Sequence, residues 1–387
     1  MDDVMAGEKK PKNLRRRLIG IAGSLLSLAI LTYIAVIVIT GSQPGFLRVF
    51  GLFPDGDAAE MANEYHFDVG RSRVFADLNG SIAAAGTLGI QVNNAGGDET
   101  LRDSFRMSTP VINENNGRAI AYDVGGTEAR VFNESSIIAS IETGGAIVSA
   151  SINRNGWFSI CTQESGAVKG IITAYNDSGR SVYRVNMSSG YVLSAALSQD
   201  NKNIAILNYT DSGSRISFYK LSNENIDRAI DLPDGIILDI RYLSNGDVLA
   251  LTTTSLLIAG KNGEFMELYD FAGKRLGGYL IDGNTKVLYL LDYSVGNRGR
   301  LITLGEDGKL LGELETDKGI ISMSFSGGFL AVLMNDGLSV CSASLEELHA
   351  PEGFASAAGA KAVLVLDGGR VLAAGDHSAV IIRFKEG

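Results

Sequence analysis

The chain has 387 residues, a formal net charge of −10 and only two cysteines. The acidic balance argues against nucleic acid as a partner, and two cysteines are too few for a disulfide scaffold. Glycine is frequent, with 47 residues, and proline is rare, with 6, which favours short strands joined by tight turns.

Near the N-terminus, the segment from Leu18 to Thr40 is apolar and contains no charged residue. As a helix it would be long enough to cross a hydrocarbon core of about 30 Å. Buried helices of soluble proteins usually keep a polar face. A cleaved signal peptide, the other alternative, has a shorter apolar region that ends in a small-x-small site. The pattern predicts an uncleaved, single-pass transmembrane helix.

The charges that flank this helix predict its orientation. Residues 1–17 carry six basic and three acidic residues, a charge of +3, which leaves −13 for the rest of the chain. Basic residues beside a spanning helix tend to stay in the cytoplasm. We therefore expect a short cytoplasmic tail, a cell-membrane location and a large extracytoplasmic part.

Residues 41–65 form a predicted connector between the helix and the rest of the chain. Within it, Phe46–Phe53 reads FLRVFGLF, which predicts either an amphipathic piece in the membrane interface or a segment packed on the flank of the ectodomain. The composition of Asp57–Tyr65, DAAEMANEY, favours a short helix of at most two turns.

From residue 66 onward a pattern recurs at spacings of about 32 to 46 residues. A turn rich in Asn, Asp or Gly is followed by a strand of small or β-branched residues, and an alternating strand precedes it. Asn-Gly between apolar runs predicts a hairpin in which both turn residues have positive φ. The eight instances begin at Asn79, Asn116, Asn155, Asn201, Asn245, Gly283, Gly327 and, more weakly, Gly359.

The repeat predicts an all-β fold. Each unit is a four-stranded antiparallel meander that cannot bury both apolar faces alone, whereas radial stacking of the units buries them. We expect a β-propeller over residues 66–387, with eight blades favoured and seven as the fallback. Tyr65–Gly70 is the expected outer strand that completes the last blade, and the small residues of the second strands suit a position near the ring axis. A parallel β-helix has shorter coils without hairpins, and a β-sandwich would not repeat eight times.

With its basic start, single anchor, connector and propeller repeats, the chain resembles the N-terminally membrane-anchored propeller proteins of Gram-positive bacteria, a family defined by a domain of unknown function. The resemblance implies the propeller fold and the membrane anchor, and it implies no biochemical activity. The blades also resemble WD40 and quinoprotein propellers in general shape, but the Trp-Asp and Gly-His signatures of the first and the tryptophan motifs of the second are missing.

No motif predicts a catalytic, cofactor-binding or metal-binding residue, and we expect no cofactor. His66, His349 and His377 are not spaced as metal ligands. The acidic turns at Asp200-Asn201 and Glu306–Gly308 are interpreted as hairpin turns rather than calcium sites. The only tryptophan, Trp157, is expected to pack between blades. A carboxylate pair assembled across blades from residues distant in sequence stays open.

These observations predict a non-catalytic binding or scaffolding module for a protein, peptide or glycan partner at the cell envelope, with a monomeric propeller. The alternative is a propeller enzyme of the hydrolase or lyase type, with a site in the central funnel. Clustered carboxylates at the funnel mouth would favour the enzyme, and an apolar rim would favour a partner site.

The positions of the two cysteines provide a test of the predicted closed ring. Cys161 lies in the second strand of the third unit and Cys341 in the third strand of the seventh. Four units apart in an eight-fold ring means opposite sides of the axis, too far for a disulfide, which needs Cα atoms within about 7 Å. We expect two unpaired, buried thiols.

Overall fold

This computed structural model describes residues 61–260, 262–292, 298–348, 359–366, 369–375 and 378–383. The cytoplasmic tail, the transmembrane helix and residues 41–60 of the connector, as predicted from the sequence, lie outside these ranges. Within the described ranges the chain consists of strands and turns. No helix there has the length and apolar character needed to cross a membrane.

The strands form eight antiparallel sheets of four strands each, which confirms the eight-bladed propeller. In each of the first seven sheets the strands are neighbours in chain order, and we name them A to D. Blade 1 is β2 (Val74–Leu78), β3 (Ser81–Gly86), β4 (Gly89–Asn93) and β5 (Glu99–Asp103). Blade 2 is β6 (Pro110–Asn115), β7 (Arg118–Asp123), β8 (Glu128–Phe132) and β9 (Ile137–Glu142). Blade 3 is β10 (Ala146–Ile152), β11 (Phe158–Gln163), β12 (Gly170–Tyr175) and β13 (Ser181–Met187).

The next four blades repeat this order. Blade 4 is β14 (Tyr191–Leu197), β15 (Asn203–Thr210), β16 (Gly213–Lys220) and β17 (Ile226–Pro233). Blade 5 is β18 (Ile237–Tyr242), β19 (Val248–Thr252), β20 (Ser255–Ala259) and β21 (Phe265–Asp270). Blade 6 is β22 (Arg275–Asp282), β23 (Thr285–Asp292), β24 (Arg298–Leu304) and β25 (Leu310–Thr316). Blade 7 is β26 (Ile320–Ser326), β27 (Phe329–Met334), β28 (Gly337–Ser342) and β29 (Glu347–Leu348).

Blade 8 closes the ring by joining both ends of the propeller. The C-terminal part supplies β30 (Ala362–Leu366), β31 (Arg370–Ala374) and β32 (Ser378–Arg383), and β1 (Met61–His66) pairs with β32 as the D strand. Closure by an N-terminal strand was predicted, but its position at Tyr65–Gly70 was wrong by four residues.

Two local predictions at this closure are also wrong. The segment after Gly359 was assigned to a second strand, whereas β30 is the first strand of blade 8. The helix predicted over Asp57–Tyr65 is a strand from Met61 onward, because pairing with β32 outweighs helix propensity. Asp57–Glu60 lies outside the described residues.

The A strands of neighbouring blades contact each other, as β2 does with β6 and β30, so they surround the central channel and the D strands lie outermost. The alanine-rich second strands are therefore one position further from the axis than the innermost strand. Ala83 and Ala85 pack toward blade 2, and Ala84 packs toward blade 8. The small side chains suit a strand that is covered on both faces by other blades.

Apolar clusters fill all eight seams between blades in the described part of the chain. The closing seam contains Tyr65, Phe67 and Leu366, which join blades 8 and 1. Trp157 packs against the cluster between blades 3 and 4, as predicted. Because this burial is spread over every seam, the ring is stabilised as a whole.

The cysteine prediction is confirmed. Cys161 lies on β11 in blade 3 and Cys341 on β28 in blade 7, and both are buried and unpaired. Burial raises the pKa of the Cys161 thiol to about 12, so almost none of it is the reactive thiolate at neutral pH.

The predicted turn geometry is confirmed at some repeats and wrong at others. Asn79-Gly80 and Asn116-Gly117 have positive φ at both residues. At Asn245-Gly246 only the glycine does, because the turn is longer: Gly246 N–H donates to Leu243 O at 3.0 Å, and Asp247 N–H donates to the Asn245 side chain at 2.9 Å.

Candidate functional site: a central channel between two unlike faces

The antiparallel meander gives the ring two faces. One face is formed by the turns between the A and B strands and the turns between the C and D strands, and we call it the A–B face. The opposite face is formed by the turns between the B and C strands and by the linkers from each D strand to the next A strand, and we call it the B–C face. The channel runs between these faces along the A strands.

A cavity of about 780 Å³ occupies the channel at the A–B face. Its wall is mostly polar, with amides from several blades (Asn79, Asn113, Asn115, Asn116, Gln199, Asn284). A second cavity of about 290 Å³ continues along blades 2 to 6 and shares Asn113, Gln199 and Arg241 with the first. The volumes are those of sites that hold small ligands or short segments of a chain.

Three carboxylates from three blades converge on the larger cavity. Asp77, Glu114 and Asp282 are each the last or next-to-last residue of an A strand. Burial, with smaller contributions from the charges of Asp77 and Asp282, raises the pKa of Glu114 to about 7, although a hydrogen bond from Gly117 N–H at 3.3 Å lowers it. Burial also raises the pKa of Asp282. The sequence shows that each of these carboxylates precedes a turn. It does not show that the folding of the blades brings the three carboxylates together.

Deeper in the channel a hydrogen-bonded network joins blades 5 and 6. Arg241 Nε–H donates to Asp239 Oδ2 at 3.0 Å, and the hydroxyl of Tyr279 donates to the same oxygen at 3.2 Å. Burial and the Asp239 charge raise the pKa of Tyr279, so the hydroxyl keeps its proton. About half of the Arg241 side chain remains exposed, and the residue lines both channel cavities.

The residues that the sequence raised as metal candidates do not converge. His66 is exposed, and His349 and His377 lie outside the described residues. Asp200 and Asp307 accept backbone N–H bonds from Lys202 and Lys309 within their own turns. In the described ranges no group of three or more His, Cys, Asp or Glu side chains could hold a metal ion.

The B–C face has a different surface. Seven exposed large apolar side chains lie in its turns and linkers or at the adjoining strand ends (Leu88, Val124, Tyr191, Tyr209, Ile236, Leu238, Ile321). The six others in the described residues lie on D strands (Val182, Ile226, Met266, Leu310, Leu311, Leu314). Tyr191 and Tyr209, 64% and 39% exposed, are directly opposed on β14 and β15. Ile236 and Leu238 lie at the start of β18 in the next blade.

The fold and these surfaces define an eight-bladed propeller with a polar, partly acidic channel and one face on which exposed apolar side chains are concentrated. Two solved structures share the fold. BamB from Moraxella catarrhalis has a TM-score of 0.52 at 15% identity, over 84% of this chain and 100% of that one. The C-terminal WD40 domain of Sif2 has a TM-score of 0.52 at 13% identity, over 85% and 97%. At these identities the likeness shows the fold alone.

The chain belongs to a family of unknown function, DUF5711, whose model matches residues 57–342. The resemblance to a propeller family defined by a domain of unknown function is thereby confirmed. No curated protein matches the chain in sequence.

Proposed function

We propose that this chain is a single-pass protein of the Gram-positive cell membrane, with residues 1–17 in the cytoplasm and the propeller outside. The charge-free length of Leu18–Thr40 and the basic excess before it support this topology. The resemblance to anchored propellers of Gram-positive bacteria supports the host.

Thiol labelling in intact cells tests the topology. A cysteine introduced at Gly7 should be protected from an impermeant reagent, and one at Asn262, on an exposed turn, should react. The native thiols give little background because both are buried. Labelling at Gly7 with protection at Asn262 would place the propeller in the cytoplasm and contradict the proposal.

The propeller itself acts, in this proposal, as a non-catalytic module that binds or scaffolds a protein partner. The observation that carries it is the concentration of exposed apolar side chains on the B–C face. Tyr191, Tyr209, Ile236 and Leu238 lie on the adjacent blades 4 and 5, and exposed tyrosines and aliphatic groups on neighbouring elements are typical of protein interfaces, where they supply the buried core of the contact. The aliphatic residues Ile236 and Leu238 suit a protein better than a glycan.

Charge around this region indicates the kind of partner. Asp211 and Asp234 are exposed on adjacent loops, whose backbones are joined by a hydrogen bond from Asp234 N–H to Ser212 O at 3.1 Å. A protein surface with apolar groups bordered by Lys or Arg would complement them.

Photo-crosslinking in cells tests the proposed surface. A photoreactive residue at Tyr191 or Tyr209 of the full chain should capture the same protein, and one at Asn245 on the A–B face should not. The position at Asn245 is the matched control because it is also exposed and lies on the same propeller. Equal capture from all three positions, or none from the tyrosines, would contradict the B–C face as the binding surface.

A second candidate function rests on the channel carboxylates. A carboxyl group with a pKa near 7 beside two others in a cavity is the arrangement of a general acid in hydrolases or lyases. Incubation of the full chain with cell-wall glycans would test it. Product formation that is lost in Glu114→Gln but kept in Glu134→Gln, an exposed control, would favour the enzyme over the binding module.

A further inference from the structure

The smaller channel cavity, of about 290 Å³, which we call the inner cavity, begins beside the apolar side chains of the B–C face. The A strands run from the B–C face toward the A–B face, so the first residues of β14 and β18 lie nearest the B–C face. Tyr191 and Leu238 are exposed there, and Leu238 also lines the inner cavity. Further along β14, Leu193 and Ser194 line it as well. The proposed partner surface and the inner cavity are therefore continuous along these two strands.

Charge within the inner cavity is balanced. Asp239 and Arg241 are the only charged residues among the described residues that line it. The carboxylate of Asp239 accepts the N–H of Ile240 at 2.9 Å. It also accepts Arg241 Nε–H at 3.0 Å and the hydroxyl of Tyr279 at 3.2 Å. Because Asp239 already offsets the charge of Arg241, an uncharged ligand suits the inner cavity better than a charged one.

Three polar side chains of the inner cavity have donors without a partner in the part of the chain that the structure describes. The two terminal nitrogens of Arg241 donate no hydrogen bond there, and neither does the hydroxyl of Ser194. Gln199 accepts the N–H of Arg154 at 3.2 Å through Oε1, and its Nε2 has no described acceptor. Since both oxygens of Asp239 are already occupied, a ligand gains most from offering acceptors.

We propose that the inner cavity binds an extended, uncharged peptide segment of the protein partner, inserted from the B–C face. Backbone carbonyl oxygens of such a segment accept hydrogen bonds without bringing a charge, and its apolar side chains pack on Leu193 and Leu238. An extended residue spans about 3.3 Å, so about three residues reach from the level of Leu238 to that of Arg241. The inference rests on the partner surface proposed above and names the part of the partner that enters the channel.

A neutral sugar is the other uncharged ligand that is rich in acceptors. The peptide is favoured because the inner cavity continues into the exposed apolar side chains of Tyr191, Ile236 and Leu238, which would oppose the hydroxyl groups of a glycan. The volume of about 290 Å³ lies at the lower end of ligand sites. It suits a few extended residues better than a helix, which is about 10–12 Å wide.

Photo-crosslinking and calorimetry test the inserted segment. A photoreactive residue at Leu238 of the full chain in cells should capture the same protein as one at Tyr191, and mass spectrometry should place the adduct in a stretch of a few uncharged residues. A synthetic peptide of that stretch, acetylated at its N-terminus and amidated at its C-terminus, should then bind the purified full chain in a calorimetric titration. The blocked ends remove the terminal charges of the peptide.

Two matched arginine variants locate the binding within the channel. Arg241→Lys keeps the charge beside Asp239 but removes the forked donors of the guanidinium, so it should lower the affinity for the peptide about tenfold. Arg154→Lys is the control, because Arg154 lines the larger channel cavity and not the inner one, and it should leave the affinity unchanged. Unfolding followed by the fluorescence of Trp157, the only tryptophan, checks that each variant is folded.

The outcomes separate the inserted segment from the partner surface. Capture from Tyr191 without binding of the peptide, or an equal affinity of Arg241→Lys and the native chain, would overturn the insertion and leave the B–C face as the partner surface. An equal loss in Arg154→Lys, or a captured stretch that carries charged side chains, would also overturn the insertion. Capture from neither Tyr191 nor Leu238 would overturn both proposals. An adduct at Leu238 that contains a sugar instead of a peptide would assign the inner cavity to a glycan.

Discussion

The two faces of the ring differ in how the chain uses their side chains. On the A–B face, polar groups bind the turns in which they lie: Asp77 accepts the N–H of Gly80 at 2.7 Å, and Asn245 accepts that of Asp247 at 2.9 Å. On the B–C face, Tyr191, Tyr209 and the guanidinium of Arg71 project outward, although their backbones are paired. Polar groups also bind turns on the B–C face, where Asp123 accepts the N–H of Ser108 at 2.8 Å, so the exposed apolar side chains are what distinguishes the two faces.

This difference distinguishes surface side chains that stabilise turns from surface side chains that are available to bind a partner. An acidic or amide side chain next to a tight turn has unpaired backbone N–H groups within reach, so its identity is explained by the turn. Exposure of tyrosine, isoleucine and leucine side chains to water does not stabilise the fold, and their concentration on one face has no such local explanation. The comparison therefore directs a search for partners to the B–C face and a test of stability to the A–B face.

The largest effect is expected at Lys286, which is fully buried beneath the A–B face. Its ammonium donates to the carbonyls of Asn284, Gly305 and Glu306, each at 3.1 Å, and so ties an A–B turn to a C–D turn. Lys286→Met removes a costly buried charge but leaves three carbonyls without this donor. We expect a loss of about 2 kcal/mol in the free energy of unfolding.

Denaturant unfolding of the full chain, followed by Trp157 fluorescence, measures this loss. Lys309→Met is the control, because Lys309 lies on the same C–D turn but its side chain is 82% exposed. It should leave the unfolding midpoint unchanged. If both variants behave alike, side chains of the A–B face do not hold its turns in the way described.

A smaller effect, with a defined pH dependence, is expected at Glu114. Its pKa is raised from 4.5 to about 7 in the folded protein, so the folded state binds the proton more tightly than the unfolded state. The stability that this proton contributes is complete below pH 4.5 and is lost as the pH rises through 7. Glu114→Gln should therefore stabilise the protein at about pH 8 and have little effect at about pH 4.

The gain at the higher pH should be about 1 kcal/mol. This is less than the full pKa shift implies, because Glu114 is surrounded by the channel wall but still contacts solvent in the channel, and that solvent screens its charge. Thermal unfolding at the two pH values measures it. Glu134→Gln, on an exposed turn, should show no such difference between the two conditions. A pH-independent effect of Glu114→Gln would mean that the pKa of Glu114 is not raised in the folded protein.

The sequence predicted the number of blades because its signals are local. Turns rich in Asn, Asp or Gly, each followed by a short apolar strand, recur along the chain and reflect contacts between near neighbours in the chain. The closing strand was misplaced because its partner, β32, lies at the other end of the propeller, and no local pattern selects Met61–His66 over Tyr65–Gly70. For the same reason Asp77, Glu114 and Asp282 could not be grouped, although a cross-blade carboxylate site had stayed open.

The smallest effect on stability, and the strongest on binding, is expected from the double variant Tyr191→Ser/Tyr209→Ser. Both side chains are exposed and lie at the ends of their strands, so the free energy of unfolding should change by no more than about 0.5 kcal/mol. Capture of the protein identified by crosslinking should nevertheless fall sharply, because interface energy concentrates in a few aromatic anchors.

The matched control for this pair is Met266→Ser on β21, whose side chain is 59% exposed but lies on an outermost strand. Affinity purification of the full chain from cells, with the captured partner quantified, compares the three proteins. Loss of capture in the tyrosine variant alone would locate the binding energy on the B–C face. An equal loss in Met266→Ser would show that exposed apolar area binds the partner wherever it lies on the ring, and the contrast between the faces would then carry no functional meaning.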